Sequence, residues 1–440
     1  MIVGLGAAGL RAAIAARRVD PSSNITVVCD EPYTTYSRCG LPFVLGGEID
    51  GFDRLVVASP QLLSKMRLNI LLNSRVVDVQ HDTVSVEGKD GSTNLRFDSL
   101  VLATGAKPFI PPIKGVELKN VFSLRTIDDG VRIAEALNSA RRVVVVGAGA
   151  IGLEAAEAFV KRGVDVKVVE LMPKVLPKLL DLDMAKIVYD GIVSHCYPII
   201  LGSGVSEIYG SESVEGVHVN DDDIPCDAVL IATGVRPDVE LAKIAGLKLG
   251  VTRGILTDEH MRCSIDNIFA AGDCAETKHI VTGKPFLPLL GTVAYREGMV
   301  AGKNAVGDAA VFRGALGSMV LRICDFEVGS VGLTVELAKK EGFKVVVGKV
   351  KWYTKAEYYP THREIVVKLI FNAEDGKIIG GQIVGGEAVA QRINLIAASI
   401  GWGITAEEMV NVDTCYSPPV ADTIEPVTRA AELALRRLKK

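Results

Sequence analysis

At 440 residues the chain is too long for one ordinary hydrophobic core, so two or three domains are expected. Charged residues make up 23% and the net charge is −4, which gives neither nucleic acid nor an anionic membrane a reason to bind. No apolar run nears the roughly 18–20 residues that span a bilayer. The eight cysteines show no CxxC pair or metal-ligand spacing, so a reducing, cytoplasmic setting without a metal site or disulfide scaffold is expected.

The chain opens on a short β-run and then "GLGAAG", with Gly4, Gly6 and Gly9 in G-x-G-x-x-G order. A small-residue helix follows, and then a second β-run, "ITVVCDE", ending in Asp30 and Glu31. The first glycine permits a tight turn, the second lets a pyrophosphate approach the backbone, and the third lets helix pack on strand. Only Met1–Val3 precede Gly4, where strands usually run about 5–6 residues, so a start further upstream or a clipped strand is expected. With such a turn at its start, no signal peptide is expected. Next comes "YTTYSRCGLPFVLGG", residues 33–47, with Cys39 and no second cysteine close enough to partner it. A helix start is expected at "CGLPFVLGG". The first module closes on "LVLATGAKP", which holds Ala103, Thr104 and Gly105.

The pattern then repeats. "VVVVGAGAIGLEAAEAFVKRGVDVKVVE" places Gly147, Gly149 and Gly152 between two β-runs, and "VLIATGVRP" ends the copy at Gly234. Two complete strand–turn–helix–strand copies point to dinucleotide binding at both. The second copy ends in Glu170, whose carboxylate accepts from a ribose 2′-OH and repels a 2′-phosphate, so NADH is expected over NADPH. After it, "NIFAAGDCAE" delivers Gly272 and Asp273 from a buried strand. From about Leu316, β-runs "EIVVKLIF" and "KIIGGQIVGG" alternate with a helix, "AVAQRINLIAASI".

Over essentially its whole length this order resembles the two-dinucleotide-binding-domain flavoproteins, the pyridine nucleotide–disulfide oxidoreductase family. The resemblance implies an α/β fold with two Rossmann-like domains, for FAD and NAD, and a C-terminal α+β dimerisation domain. The implied boundaries are 1–112 and 247–315 for the FAD domain, 113–246 for the NAD domain and 316–440 for the dimerisation domain. FAD would lie on Gly4, Gly6, Gly9, Asp30, Glu31, Val76, Ala103, Thr104, Gly105, Gly272 and Asp273, with Asp30 on the adenosine ribose and Asp273 on the ribityl chain. NAD would lie on Gly147, Gly149, Ile151, Gly152, Glu170 and Gly234.

"YSRCGLP" looks like the single-cysteine branch of that family: CoA-disulfide reductases, water-forming NADH oxidases and NADH peroxidases. A lone thiol pairs with an exogenous sulfur or cycles through a sulfenic acid. Arg38, the flavin and the following helix would each lower its pKa. The peroxidase-type enzymes carry a histidine in the first glycine loop, where this chain has Ala7 and Ala8, and none of its six histidines falls within the first 80 residues. "EYYPTHREI" and "CYSPP" match the CoA-disulfide reductases, whose catalytic tyrosines fall on Tyr416 and on one of Tyr358 or Tyr359. Arg11, Arg18, Arg38 and Arg67 are the candidate cations for CoA, free or as a mixed disulfide. Cys415 is a candidate for resolving such a disulfide across the dimer.

The resemblance thus implies a homodimer with shared active sites. It would use NADH and FAD to reduce CoA disulfide, or a related small-molecule disulfide or persulfide, through Cys39. No rhodanese-like segment follows "LALRRLKK", which weighs against a persulfide substrate. The alternative is an NADH oxidase that reduces oxygen through a Cys39 sulfenic acid, and a third reading is an electron-transfer reductase for a protein partner.

Overall fold

The computed structural model describes residues 1–89 and 91–440, which divide into two compact units. The first comprises Met1–Leu41, Ile49–Phe109 and Val235–Ala315; the second comprises Pro42–Glu48, Ile110–Gly234 and Leu316–Lys440.

The first unit is built on a five-stranded parallel sheet in the order Ile268–Ala270, Leu100–Leu102, Ile2–Val3, Thr26–Val28, Asn69–Leu71. The opening strand is two residues long and pairs on both sides. Strands Ile268–Ala270, Leu100–Leu102 and Ile2–Val3 are short uninterrupted apolar runs, as strands covered on both faces require; Leu100, Val101 and Leu102 are all buried. Helices Ala7–Val19 and Gly291–Asn304 pack so closely that a Cβ on Gly298 would meet Ala8 O at 2.2 Å, and one on Gly302 would meet Ala12 O at 2.1 Å. An antiparallel meander, Arg75–Gln80, Thr83–Gly88 and Gly91–Arg96, interrupts the Rossmann-like order. Strand Val235–Pro237 pairs with Ala106–Pro108 and so belongs to this unit.

The second unit repeats the plan. Its parallel sheet runs Val121–Phe122, Ala228–Ile231, Arg142–Val146, Asp165–Glu170, Ile199–Leu201, with a meander again inserted before the strand that carries "ATG". The same unit holds a five-stranded antiparallel sheet, Met319–Ile323, Phe326–Gly332, Ile378–Gly385, Glu364–Asn372, Val345–Tyr353. Helices Val389–Trp402 and Pro426–Leu438 accompany it, giving the α+β part.

Two cysteines that no spacing in the sequence links are paired in the fold. Cys196, which caps helix Leu182–His195, is disulfide-bonded to Cys324 in the turn after strand Met319–Ile323. The two lie 128 residues apart, so only the fold brings them together. Among the described residues no helix is long and apolar enough to cross a membrane, and no His/Cys/Asp/Glu group could hold a metal ion.

Candidate active site

The two glycine loops have the same build. Gly4 has φ +100°, and a Cβ there would lie 2.2 Å from Ala103 O; its counterpart Gly147 has φ +110° and would meet Ala232 O at 2.6 Å. A Cβ on Gly9 would strike Gly4 O at 1.9 Å, and one on Gly152 would strike Gly147 O at 2.0 Å. The middle glycines differ from these: a Cβ on Gly6 or Gly149 would meet nothing within 4 Å. Each of those glycines caps its helix without a side-chain hydrogen bond, and neither helix has an acidic residue in its first turn. Open space before uncapped N–H groups at a helix N-terminus suits a pyrophosphate. The residues therefore fit a dinucleotide at both loops.

Around the first loop, Thr104 Oγ1 donates to Asp238 O at 2.6 Å, and Gly105 has φ +73°. Val76 is buried in the first strand of the meander. Gly272 has φ +85°, places Asp273 half-buried beside it, and donates its N–H at 2.8 Å to Glu297 Oε2. Nothing in the sequence singled out Glu297. It is 1% exposed, its Oε1 has no partner, and burial pushes its carboxyl up to about 8, with Asp273 adding to the shift against the Gly272 N–H. A glutamate on the packed face of a small-residue helix was the available signal.

At the second loop, Glu170 is buried. It accepts from Ala148 N at 2.7 Å through Oε2 and from Met172 N at 2.8 Å through Oε1. Each carboxylate oxygen can accept again, so Glu170 braces the loop and can still take a ribose hydroxyl. Ile151, Leu171 and Met172 are exposed, and Gly234 has φ +108°. Glu154, also unremarked in the sequence, has its carboxyl raised to about 7 by burial and then by Glu157.

Cys39 lies in a 3-10 turn, Arg38–Gly40, that leads into helix Leu41–Leu45, as the expected helix start requires. It is exposed and not disulfide-bonded. A Cβ on Gly40 would lie 2.3 Å from Leu55 Cδ2, so glycine lets the turn seat on Leu55. Of the other cysteines of this unit, Cys29 and Cys274 are buried and Cys263 is half-buried, and burial raises all three thiols, Cys274 to about 11. Arg38 donates to Glu31 Oε1 at 2.5 Å and to Tyr36 Oη at 2.9 Å, and Tyr36 in turn donates to Glu31 Oε2. Its charge is thus matched first by Glu31, and Asp30 is the exposed carboxylate at that strand end.

The other candidate cations do not converge. The guanidinium of Arg11 stacks 4.6 Å over the Tyr295 ring and reaches Met299 Sδ. Arg67 donates to Pro21 O at 3.1 Å, and its own carbonyl accepts from Arg17; Arg18 is exposed. In the second unit, Tyr358 and Tyr416 are exposed and joined hydroxyl to hydroxyl at 2.8 Å. Tyr359 turns elsewhere, with Lys355 Nζ 5.9 Å from its ring centroid. Cys415, next to this pair, is an exposed free thiol.

Comparison with known proteins gives the family. The family model described as pyridine nucleotide-disulphide oxidoreductase matches residues 1–298, and the model of that family's dimerisation domain matches residues 320–427. An NADH oxidase of Methanocaldococcus jannaschii is 44% identical over 444 residues, covering 100% of this chain and 99% of that protein. A CoA-dependent NAD(P)H sulfur oxidoreductase of Pyrococcus furiosus is 37% identical, with 97% of each chain covered. Among solved structures, an NAD-dependent persulfide reductase from A. fulgidus superposes with a TM-score of 0.97 at 35% identity, over 100% of this chain and 83% of that one.

Proposed function

Since the chain belongs to the pyridine nucleotide-disulphide oxidoreductase family, we propose that it is an FAD-dependent enzyme that uses NADH to reduce CoA disulfide or a CoA-linked persulfide through Cys39. The observation that carries this reading is the exposed Cys39 thiol, outside any disulfide and in a turn at a helix start, while the other cysteines of its unit are buried or half-buried. Such a thiol can attack an external sulfur, and it has no neighbour with which to close an internal disulfide. FAD, when bound, supplies the two-electron relay between nicotinamide and sulfur.

The first glycine loop, the "ATG" turn and the Gly272–Asp273 turn are the residues that hold FAD. The second loop and Glu170 hold NADH. Cys39 attacks one sulfur of the substrate, forming a mixed disulfide and releasing one thiol; two electrons from NADH then release the second. In balance, NADH, a proton and CoA disulfide give NAD⁺ and two CoA thiols. With a CoA persulfide the products are NAD⁺, CoA and hydrogen sulfide. The Tyr358–Tyr416 pair is the proton donor for the leaving thiolate, since a phenol can donate to sulfur and these two hydroxyls share a hydrogen bond. The protein works as a cytoplasmic homodimer whose dimerisation domains complete each other's active sites.

A second reading, NADH oxidation by oxygen with Cys39 cycling through a sulfenic acid, is favoured by the 44% identical relative bearing that name. Anaerobic NADH oxidation with CoA disulfide as sole acceptor separates the two. Turnover that is lost in Cys39→Ser supports the disulfide reductase. No turnover until air is admitted moves the assignment to the oxidase, and full NADH-dependent activity in Cys39→Ser overturns both.

A further inference from the structure

Glu297 occupies a place that no other described carboxylate shares. It lies on helix Gly291–Asn304, at the start of the stretch that packs backbone to backbone on helix Ala7–Val19, and the next residue, Gly298, presses on Ala8 of the first glycine loop. Its Oε2 accepts from the N–H of Gly272, the residue whose left-handed turn presents Asp273. A Cβ on Gly272 would come within 3.0 Å of Ala8 Cβ. One carboxyl therefore ties the Gly272–Asp273 turn to the helix that abuts the pyrophosphate loop. Its other oxygen, Oε1, is buried without a partner.

A carboxylate in such a place, with one hydrogen bond and no ion pair, is costly to keep charged. The charges around it do not offset that cost. Asp273 on the turn opposes ionisation, and Cys274 beside it is a buried thiol. On its own helix, Arg296 favours the charged form but is exposed and stacks over Phe312. The opposing helix carries Arg11, Arg17 and Arg18. The first is engaged by Tyr295 and Met299, the second by carbonyls of Pro21, Ser23, Met66 and Arg67, and the third is exposed. The Ala103–Gly105 turn carries no charge.

We propose that Glu297 is a positioning residue for the flavin: as the uncharged acid it holds the Gly272–Asp273 turn in the form that takes FAD, and its ionisation beside Asp273 and the pyrophosphate weakens FAD binding. The inference rests on FAD occupying the first module. The rise of the carboxyl to about 8 agrees with it and sets where the change falls. Below that point the site offers a neutral acid. Above it, FAD must bring its own negative charges toward an ionised Glu297 as well as Asp273. A single proton linked to binding changes affinity by up to roughly tenfold per pH unit once the ionised form dominates.

The test is FAD release from the diluted holoenzyme, followed by recovery of flavin fluorescence between about pH 6 and about pH 9, the range that brackets the shifted carboxyl. In the wild type, the dissociation constant should be flat at the acid end and climb above about pH 8. Glu297→Gln keeps an acceptor for Gly272 N and cannot ionise. It should bind FAD within a few-fold of wild type near neutrality and lose the alkaline climb. Glu297→Ala, which has no acceptor, should bind FAD more weakly at every pH. A Glu297→Gln profile that climbs as the wild type does, or a wild-type profile flat throughout, overturns the inference while leaving the FAD assignment standing. Failure of the wild type to hold FAD at any pH overturns both. A merely structural role for Glu297 would shift affinity in both variants without removing the pH dependence.

Discussion

Replacing Glu170 by Ala tests whether the coenzyme preference resides in one carboxylate. In the structure its two oxygens accept from Ala148 N at 2.7 Å and Met172 N at 2.8 Å, and the side chain is 8% exposed. Two consequences follow, and they differ in kind. Losing the brace leaves two N–H groups for water to satisfy, loosening the second glycine loop and weakening NADH and NADPH alike. Losing the charge removes the acceptor for the ribose hydroxyls, and a hydrogen bond to a charged group contributes about 1.5–3 kcal/mol, or roughly a 10- to 150-fold rise in KM for NADH. The same loss removes the repulsion that a 2′-phosphate would meet, so NADPH suffers only the loosened loop. The NADH-to-NADPH ratio of kcat/KM should fall by roughly 10–100-fold. Steady-state rates with each coenzyme at fixed acceptor give that ratio directly. Should both coenzymes weaken equally, Glu170 is a brace for the loop and the preference lies in other residues.

Tyr416→Phe removes the hydroxyl that meets Tyr358 at 2.8 Å on an exposed surface. The melting temperature should hardly move, while anaerobic disulfide turnover should drop by roughly 10²-fold if the phenol protonates the leaving thiolate; unchanged turnover removes the pair from the chemistry. Gly298→Ala drives a Cβ to 2.2 Å from Ala8 O, where the obstacle is backbone and cannot rotate aside. Overpacking of this kind costs about 1–3 kcal/mol, so a lowered melting temperature together with earlier FAD loss is expected, and an unaltered melt would contradict the close helix packing. Cys196→Ser opens the Cys196–Cys324 bridge, which closes a loop of 128 residues. On the chain-entropy account such a closure contributes roughly 4–5 kcal/mol, so the variant should melt lower than the oxidised wild type and, unlike it, be insensitive to reductant.

The nucleotide modules were legible because their signal is local and repeated. A turn that needs glycine at three set positions, between two apolar runs, leaves few folds open, and both copies close on a strand that reaches "ATG". The lone thiol was legible for the same reason, since its turn and helix start lie within a few residues of Cys39. Where the sequence left Tyr358 and Tyr359 undivided, the structure gives them different surroundings: Tyr358 meets Tyr416, and Tyr359 lies against Lys355.

Charge placement was not legible, and the reason is physical. Arg38 adjoins Cys39 in the chain, which suggests a cation for the thiolate, yet its guanidinium is held by Glu31 and Tyr36 and its charge is balanced before any substrate arrives. Glu297 shows the converse. Only its place among the small residues of its helix marks it in the chain, and its character comes from the desolvation produced when Gly298 and Gly302 let two helices close on each other. A side chain's charge state is set by what surrounds it in space. A pattern of residue types can therefore mark a glycine turn between strand and helix while leaving open which carboxylate beside it is charged.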